Sequence, residues 1–150
     1  MIIAFFGHAR FKGTKEYEEK LLAFLEENIA DKAVDMYLGG YGAFDEFAYD
    51  CCIKYKSMHN NVSLILVTPY ITEEYCKNHL EYQLERYDGL LYPKIEDKPL
   101  RFAINYRNRY MIEKADYVIA YVNHNSGGAY AAYVYVKRKQ KSVFNIADLE

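Results

Sequence analysis

Short apolar runs alternate along the chain with segments in which apolar residues recur every three or four positions. The apolar runs predict β-strands over residues 2–6, 34–38, 62–67, 117–122 and 142–146. The periodic segments predict a helix capped by Thr14, a helix capped by Thr72 over residues 73–87, and further helices over residues 45–58, 102–115 and 129–139. Residues 89–99 are rich in turn formers and are expected to be irregular.

This alternation predicts the fold class. Near-continuous apolar strands separated by helices are typical of a parallel sheet that is covered on both faces. Right-handed crossovers then produce a doubly wound sheet. With 150 residues and a mass of 17.6 kDa, the chain is long enough for one hydrophobic core, and we expect a single domain over residues 1–150.

Glycine and polar residues cluster where the predicted strands end. The strand ends read Gly7-His8, residues 39–42, Thr68-Pro69 and residues 123–128. In doubly wound sheets, ligands bind beyond the carboxyl ends of the strands. We therefore expect a binding site at this edge, which requires the turns near residues 39 and 127 to face one crevice.

Two glycine-rich turns are candidate anion sites. Residues 39–45 read GGYGAFD, and Ser126-Gly127-Gly128 precedes another predicted helix. Glycine allows close backbone approach, and the free N–H groups at a helix start favour phosphate. The first turn is neither a GxGxxG fingerprint nor a P-loop. The alternative for it is a tight turn with Asp45 as the helix cap.

Four charged side chains are candidates for the same site. Arg107 and Arg109 point about 200° apart on a helix, so at most one should enter the site. The alternative for both is a solvated helix face. At the end of the first strand, His8 could donate to a ligand or carry a proton, and Arg10 could hold a phosphate. Ordinary loop residues are the alternative there.

Composition excludes several function classes. Net charge is −2, so no overall basic field attracts nucleic acid, which is not expected as a partner. The basic run 137–141 is interpreted as positive charge that is favourable at a helix C-terminus, and a nucleic-acid patch is the less favoured alternative. No apolar run approaches the roughly 20 residues of a membrane span, and the start of the chain lacks a signal-peptide pattern. The three cysteines have no CxxC spacing and are interpreted as reduced thiols, which indicates a cytoplasmic protein.

Aromatic content is unusual, with 17 Tyr, 8 Phe and no Trp. Such a composition fits half-buried surfaces, a stacking site or a self-association face, and a homo-oligomer is one expectation because tyrosine is enriched in interfaces. Tyr41 and Phe44 are candidates to stack on a base, although core packing is favoured for Phe44. The histidines lack metal-ligand spacing, so no metal is expected. No cofactor is expected either.

Several segments in fixed order resemble a known family. These are Gly7-His8, the GGYGAFD turn, DGLLYPKIEDKPLRFAI, RNRYMIEKADYVIAYV and SGGAYAAYVYVKRK followed by VFNI. Over nearly the whole chain they resemble the small SLOG-superfamily proteins of the DUF1273 or YpsA-like kind. The resemblance implies a Rossmann-like three-layer α/β/α sandwich with a mostly parallel sheet, and nucleotides or nucleotide-derived ligands held by glycine loops.

The resemblance extends distantly to the LOG phosphoribohydrolases, which are described as lysine-decarboxylase-like. Their pattern has Arg, Met and Asp followed by PGGxGTxxE, and Arg107, Met111 and Asp116 take the first three positions. Residues 126–133 read SGGAYAAY and lack the Thr and the Glu. That Glu is expected to assist cleavage of the N-glycosidic bond. Arg107 remains a catalytic candidate, and Asp45 is the candidate to replace the missing Glu.

The sequence thus predicts a protein that binds a nucleotide or nucleotide-derived small molecule. The alternatives are an N-glycoside hydrolase acting on a nucleoside monophosphate and a non-catalytic interaction protein. The predicted ligand-binding residues are Gly7, His8, Arg10, Gly39, Gly40, Tyr41, Gly42, Thr68, Arg107, Arg109, Ser126, Gly127 and Gly128.

Overall fold

A computed structural model describes residues 1–70 and 73–149 of the chain. The strands are β1 Ile2–Gly7, β2 Val34–Leu38, β3 Val62–Val67, β4 Gly89–Leu91, β5 Tyr117–Tyr121 and β6 Ser142–Asn145. The helices are α1 Lys15–Ile29, α2 Ala43–Met58, α3 Glu73–Arg86, α4 Ala103–Lys114 and α5 Gly127–Arg138. Short 3₁₀ segments span Leu100–Phe102 and Ile146–Leu149.

The strands form one six-stranded sheet in the order β4-β3-β2-β1-β5-β6. Every strand pairing within the described residues is parallel. Helices separate consecutive strands, so the predicted Rossmann-like α/β fold is confirmed. Burial on both faces explains why the central strands are apolar at nearly every position.

Strand β1 shows how the three layers are held together. Ile3 and Phe5 pack into the core beneath α1 and α2, whereas Ala4 and Phe6 pack into the core beneath α4 and α5. All four side chains are buried. Since successive strand residues point to opposite faces, an unbroken apolar run is what a central strand of such a sheet requires.

The predicted element bounds agree with the observed ones to within two residues. The predicted Thr14 cap is confirmed, because its side chain accepts a hydrogen bond from the Tyr17 N–H at 3.1 Å. The predicted Thr72 cap lies outside the described residues. Residues 89–99 are not wholly irregular, since β4 pairs with β3 over three positions, too few for an apolar pattern to be visible among turn residues.

The strand order places a topological switch point beside β1. From β1 the chain builds the sheet outward through β2, β3 and β4, and then returns to add β5 on the other side of β1. The connections after β1 and after β5 therefore leave from neighbouring strand ends. In open α/β sheets this is the position where a crevice forms and where ligands bind.

None of the helices within residues 1–70 and 73–149 is long and apolar enough to cross a membrane. The cysteines are free thiols; Cys51 and Cys52 are buried, and Cys76 is half-buried.

Candidate functional site

A cavity of about 340 Å³ lies at the carboxyl edge of the sheet, beside the switch point. The turn at Gly39 and the turn at Gly127 both line it, as the pattern of strand ends requires. Its lining is formed by Phe5, Phe6, Gly7, His8, Ala9, Arg10, Gly39, Tyr41, Asp45, Ile104, Arg107, Asn108, His124, Ser126, Gly127, Gly128 and Ala129. This volume falls within the range of small-molecule sites.

Four of the predicted ligand-binding residues are not among the lining residues. Gly40 packs towards Leu66, and a Cβ there would approach Leu66 Cδ1 to 2.9 Å. Gly42 lies against the backbone of Ala9. In both glycines φ is positive, at 65° and 91°, so their role is to shape the turn.

The other two are Thr68 and Arg109. The Thr68 hydroxyl closes a local turn, because it donates to the Tyr70 carbonyl and accepts from the Tyr70 N–H. Arg109 projects onto a different surface, where its guanidinium lies over the rings of Tyr106 and Tyr135. The prediction that at most one of the two arginines enters the site agrees with this placement, since Arg107 lines the cavity.

Arg107 is built into the floor of the cavity. Its side chain is 2% exposed, and Nη1 donates hydrogen bonds to the carbonyl oxygens of Gly39 and Val67, each at 2.9 Å. Nε donates to Asn108 Oδ1 at 2.9 Å. These bonds join α4 to the ends of β2 and β3. Arg107 therefore holds the strand ends in place, and the predicted phosphate contact would have to be made by its remaining nitrogen, Nη2.

Gly39 lies between two buried charges. A Cβ on Gly39 would come within 2.9 Å of both Arg107 Nη1 and Asp45 Oδ2. Only a residue without a side chain lets the guanidinium and the carboxylate approach the backbone from both directions. The glycine is needed here for space, because its φ is not positive.

Asp45 is 6% exposed. Burial raises the pKa of its carboxyl to about 6, although the Arg107 guanidinium and the Tyr41 N–H favour the charged form. Burial also lowers the pKa of Arg107, and Asp45 opposes that change. The two groups thus stabilise each other's charged states in an environment that disfavours charge.

The GGYGAFD turn has two of its backbone donors occupied. The Tyr41 N–H donates to Asp45 Oδ2 at 2.8 Å, and the Ala43 N–H donates to the Ala9 carbonyl at 2.9 Å. The Asp45 carboxylate and the Ala9 carbonyl therefore already accept from two N–H groups that an incoming anion would need. The Asp45 carboxylate closes a tight turn, as the alternative expects, but the N-cap residue of α2 is Gly42 and not Asp45. A role of this turn in binding a ligand stays a prediction.

The N-terminus of α5 presents a different arrangement. Within the described part of the chain, the side chain of its N-cap residue, Ser126, makes no capping hydrogen bond. Gly127 has a φ of 88°, and nothing lies within 4 Å of the position that a Cβ would occupy. The first turn of α5, whose backbone N–H groups have no partner within the helix, therefore borders the cavity.

Two histidines form part of the cavity wall. The rings of His8 and His124 are stacked with centroids 3.6 Å apart and planes 11° apart. The Asn123 N–H donates to His8 Nε2 at 3.1 Å, so Nε2 carries no proton and the neutral ring is protonated on Nδ1. Burial, and then the neighbouring His124, lower the pKa of His8.

Several lining residues were not predicted from sequence. Asn108 and His124 are polar neighbours of predicted residues, and their position in the segments 107–109 and 123–128 was an available signal. Phe5, Phe6, Ala9, Ile104 and Ala129 also line the cavity. No sequence signal marks Ile104 or Ala129, because their exposure depends on how α4 and α5 pack. Within residues 1–70 and 73–149, no group of three or more His, Cys, Asp or Glu could hold a metal ion.

A Rossmann-like α/β protein with a cavity at its switch point is the class that this geometry defines. No family model matches the chain. Its sequence is 23% identical over 141 residues to UPF0398 protein BH1768 of Halalkalibacterium halodurans, covering 88% of this chain and 71% of that protein. This relative, together with the shared fold described next, supports the assignment of the chain to the SLOG superfamily, in which UPF0398 is the DUF1273 and YpsA-like family.

Solved structures share the fold. DNA processing protein A from Helicobacter pylori matches with a TM-score of 0.64 and 20% identity, over 97% of this chain and 64% of that one. The Streptococcus pneumoniae protein of the same name matches with a TM-score of 0.63 and 16% identity, over 95% of this chain and 49% of that one. TM1055 matches with a TM-score of 0.55 and 11% identity, over 95% of this chain and 71% of that one. The chain thus spans about half to two thirds of the DNA processing proteins.

One sequence-based expectation needs correction. Nucleic acid was not expected as a partner because the net charge is −2. The Helicobacter pylori neighbour is described by its single-stranded DNA binding mode, so this fold is compatible with such a partner. The expectation was wrong because net charge gives only the sum of the charges and does not describe how they are distributed over the surface.

Proposed function

We propose that the chain binds a nucleotide or nucleotide-derived molecule in the cavity, with a phosphate at the N-terminus of α5. The observation that supports this most directly is that an uncapped helix start and two glycine turns border one cavity of about 340 Å³. Backbone N–H groups and the positive end of the helix dipole favour an anion at that position.

Separate residues would serve the separate parts of such a ligand. The Gly127 and Gly128 backbone would approach the phosphate, and the exposed side chain of Arg10 supplies positive charge in the same lining. Tyr41, which is 62% exposed and lines the cavity, offers a ring for stacking on a base. Arg107 holds the ends of β2 and β3, and the turn that follows β2 carries Tyr41.

The proposal is tested by titration calorimetry with nucleoside monophosphates and diphosphates, ADP-ribose and cyclic dinucleotides. Thymidine monophosphate and a short oligothymidylate are included, because they separate a free nucleotide from a nucleotide within a strand. The DNA processing protein neighbours make the second source worth testing. Folded protein that binds no member of this panel would overturn the proposal.

The position of the phosphate is tested with Ser126→Asp. Aspartate is a good N-cap, so the melting temperature should stay the same or rise. Its carboxylate would occupy the region proposed for the phosphate, and binding should weaken at least about tenfold. Ser126→Asn has nearly the same shape without the charge, and it should bind close to normally. Equal binding by both variants would contradict the placement.

A second candidate function is N-glycoside hydrolysis of a nucleoside monophosphate. It is favoured by Asp45, which lines the cavity and has a carboxyl pKa raised to about 6, as suits a proton donor near neutral pH. Incubation with a panel of nucleoside monophosphates and chromatography for free base tests it. Base release that Asp45→Asn abolishes would support this function; no release by folded protein that binds the nucleotide would exclude it.

A further inference from the structure

Positive charge is concentrated in one part of the chain. Residues 98–141 contain nine Lys and Arg but only two Asp and Glu, within a chain whose net charge is −2. This stretch includes α4 and α5, which cover the sheet face opposite α1 and α2. The small net charge of the whole chain is therefore the sum of a basic segment, residues 98–141, and an acidic remainder.

The cations on this face are linked through tyrosine rings. Lys98 Nζ lies 5.3 Å and Arg109 Cζ 5.5 Å from the centre of the Tyr106 ring. Arg109 Cζ, Arg138 Cζ and Lys139 Nζ lie 5.3, 5.3 and 5.4 Å from the centre of the Tyr135 ring. Such contacts hold the cationic heads in place over the rings.

Three of these cations converge around the Tyr135 ring, where one carboxylate, that of Glu113, is bound to the ring hydroxyl. Arg109, Arg138 and Lys139 are exposed, and none forms an ion pair with an Asp or Glu of residues 1–70 and 73–149. Glu113 on α4 accepts a hydrogen bond from the Tyr135 hydroxyl, and its single negative charge offsets only part of the three positive charges. Like charges gathered around one ring repel each other, and a bound polyanion would relieve that repulsion.

This cationic cluster is continuous with the cavity. A groove of about 40 Å³ between α4 and α5 is lined by Arg109, and Asn108 and Gly128 line both the groove and the cavity. A chain molecule leaving the cavity past Asn108 and Gly128 would therefore reach Arg109 first. Arg138 and Lys139 lie around the same Tyr135 ring as Arg109.

We infer that the α4–α5 face, defined by Tyr106, Arg109, Tyr135, Arg138 and Lys139, binds the phosphates of a single-stranded nucleic acid. Exposed cations gathered beside a groove suit a single strand, whose phosphates are regularly spaced. Tyr135 is only 7% exposed, so its ring holds the cations in place and does not itself stack on bases. The cavity at one end of the groove has the volume for one nucleotide. Only this placement of an end nucleotide rests on the proposed function; the cationic face stands on its own charges.

The test measures the fluorescence anisotropy of labelled oligothymidylate over a series of salt concentrations. The triple variant Arg109→Gln, Arg138→Gln, Lys139→Gln removes three positive charges from the face. The control triple variant Lys15→Gln, Lys20→Gln, Lys77→Gln removes three exposed charges from α1 and α3. Circular dichroism verifies that both fold, which the exposure of all six side chains favours.

The wild type should bind with strong salt dependence. The α4–α5 triple variant should lose at least about tenfold in affinity, and its salt slope should fall by about 2, since each single-strand phosphate contact contributes about 0.7. The control should bind within about twofold of the wild type. Absent or salt-insensitive binding by the wild type, or an equal loss in both variants, would overturn the inference.

Two further experiments distinguish nucleic acid from other polyanions, and binding at the α4–α5 face from binding in the cavity. Polyglutamate, or vesicles of phosphatidylcholine and phosphatidylserine, bound in preference to oligothymidylate would also overturn it. Ser126→Asp should weaken mononucleotide binding, whereas the α4–α5 triple variant should leave mononucleotide binding intact. Strand binding without mononucleotide binding would reject the proposed function and retain the nucleic-acid face.

Discussion

Arg107 Nη1 donates a hydrogen bond of 2.9 Å to the carbonyl oxygen of Gly39, 68 positions away in the sequence. The same nitrogen donates to the Val67 carbonyl. One buried guanidinium thus ties α4 to the ends of two neighbouring strands. The Gly39 turn faces the cavity because it is held in this way, so the arginine positions the site from beneath.

Replacing this guanidinium should be costly. Arg107→Lys supplies a single ammonium that cannot reproduce the fork of N–H donors, and it would leave a carbonyl unsatisfied near the buried Asp45. We expect a loss of about 2–4 kcal/mol in the free energy of unfolding, measured by urea denaturation. Arg109→Lys is the matched control on the same helix and should change stability by less than about 0.5 kcal/mol. Similar losses in both variants would contradict the structural role of Arg107.

The absence of a side chain at Gly39 should matter for a steric reason. Gly39→Ala places a methyl group 2.9 Å from Arg107 Nη1 and from Asp45 Oδ2, and relieving that contact should cost about 1–3 kcal/mol. Gly128→Ala meets only Asn105 Oδ1 at 3.7 Å and lies in the first turn of α5, so stability should be unchanged or should rise by up to about 1 kcal/mol. Thermal denaturation of the two variants measures the contrast. Equal melting temperatures would show that Arg107 and Asp45 move away from the added methyl group at little cost.

Asp45 should make stability depend on pH in an unusual direction. Its folded-state pKa of about 6 lies above the ordinary value of 3.8, so between these values the folded chain holds a proton that the unfolded chain has lost. This group's contribution to stability therefore declines as the pH rises from about 4 to about 6, by up to about 3 kcal/mol, and then levels off. Asp45→Asn should remove that decline.

The measurement is the difference in urea stability between wild type and Asp45→Asn over that pH range. Using the difference cancels the titration of other groups, His8 included. Asp50→Asn, which changes an exposed carboxyl of the same helix, is the control and should follow the wild type. A difference between wild type and Asp45→Asn that is constant with pH would contradict the raised pKa.

His8 should be neutral at neutral pH and protonated on Nδ1. Its Nε2 accepts the Asn123 N–H, and burial lowers its pKa. As the pH falls below about 6.5, the unfolded chain takes up a proton that the folded chain resists, so this group's contribution to stability decreases with acidification. Long-range proton–nitrogen NMR reports the tautomer directly. A ring protonated on Nε2 at neutral pH would show that the contact to Asn123 is absent in solution.

The layers of the fold were predictable because their determinants are local or periodic. Burial on both faces makes β1 and β5 apolar throughout, and helical spacing identifies α1 and α2. The strand-end rule places Gly39 and Gly127 at one cavity, since parallel strands all end at the same edge. By contrast, β4 was missed because three residues are too few to form a pattern.

The choice between Arg107 and Arg109 illustrates the limit of such reasoning. Helix geometry shows that they diverge, and Met111 lies one turn beyond Arg107 on its buried face. The partners of Arg107 are carbonyls on β2 and β3, which no spacing within α4 reveals. The excess of Lys and Arg in residues 98–141 can likewise be counted in the sequence. Only the packing of α4 beside α5 brings Arg109, Arg138 and Lys139 around the Tyr135 ring.

By itself, the sequence determined the parallel sheet and the resemblance to the SLOG superfamily, and it predicted a cavity at the carboxyl edge of the sheet. Apolar periodicity and strand-end glycines allow this because both are visible in consecutive residues. Tertiary structure alone decided which donors at that edge are already hydrogen-bonded. The Ala43 N–H is occupied by Ala9 and Arg107 by Gly39 and Val67, whereas the start of α5 borders the cavity without a side-chain cap. Hydrogen bonds between distant segments form only when the chain has folded, so no local pattern encodes them.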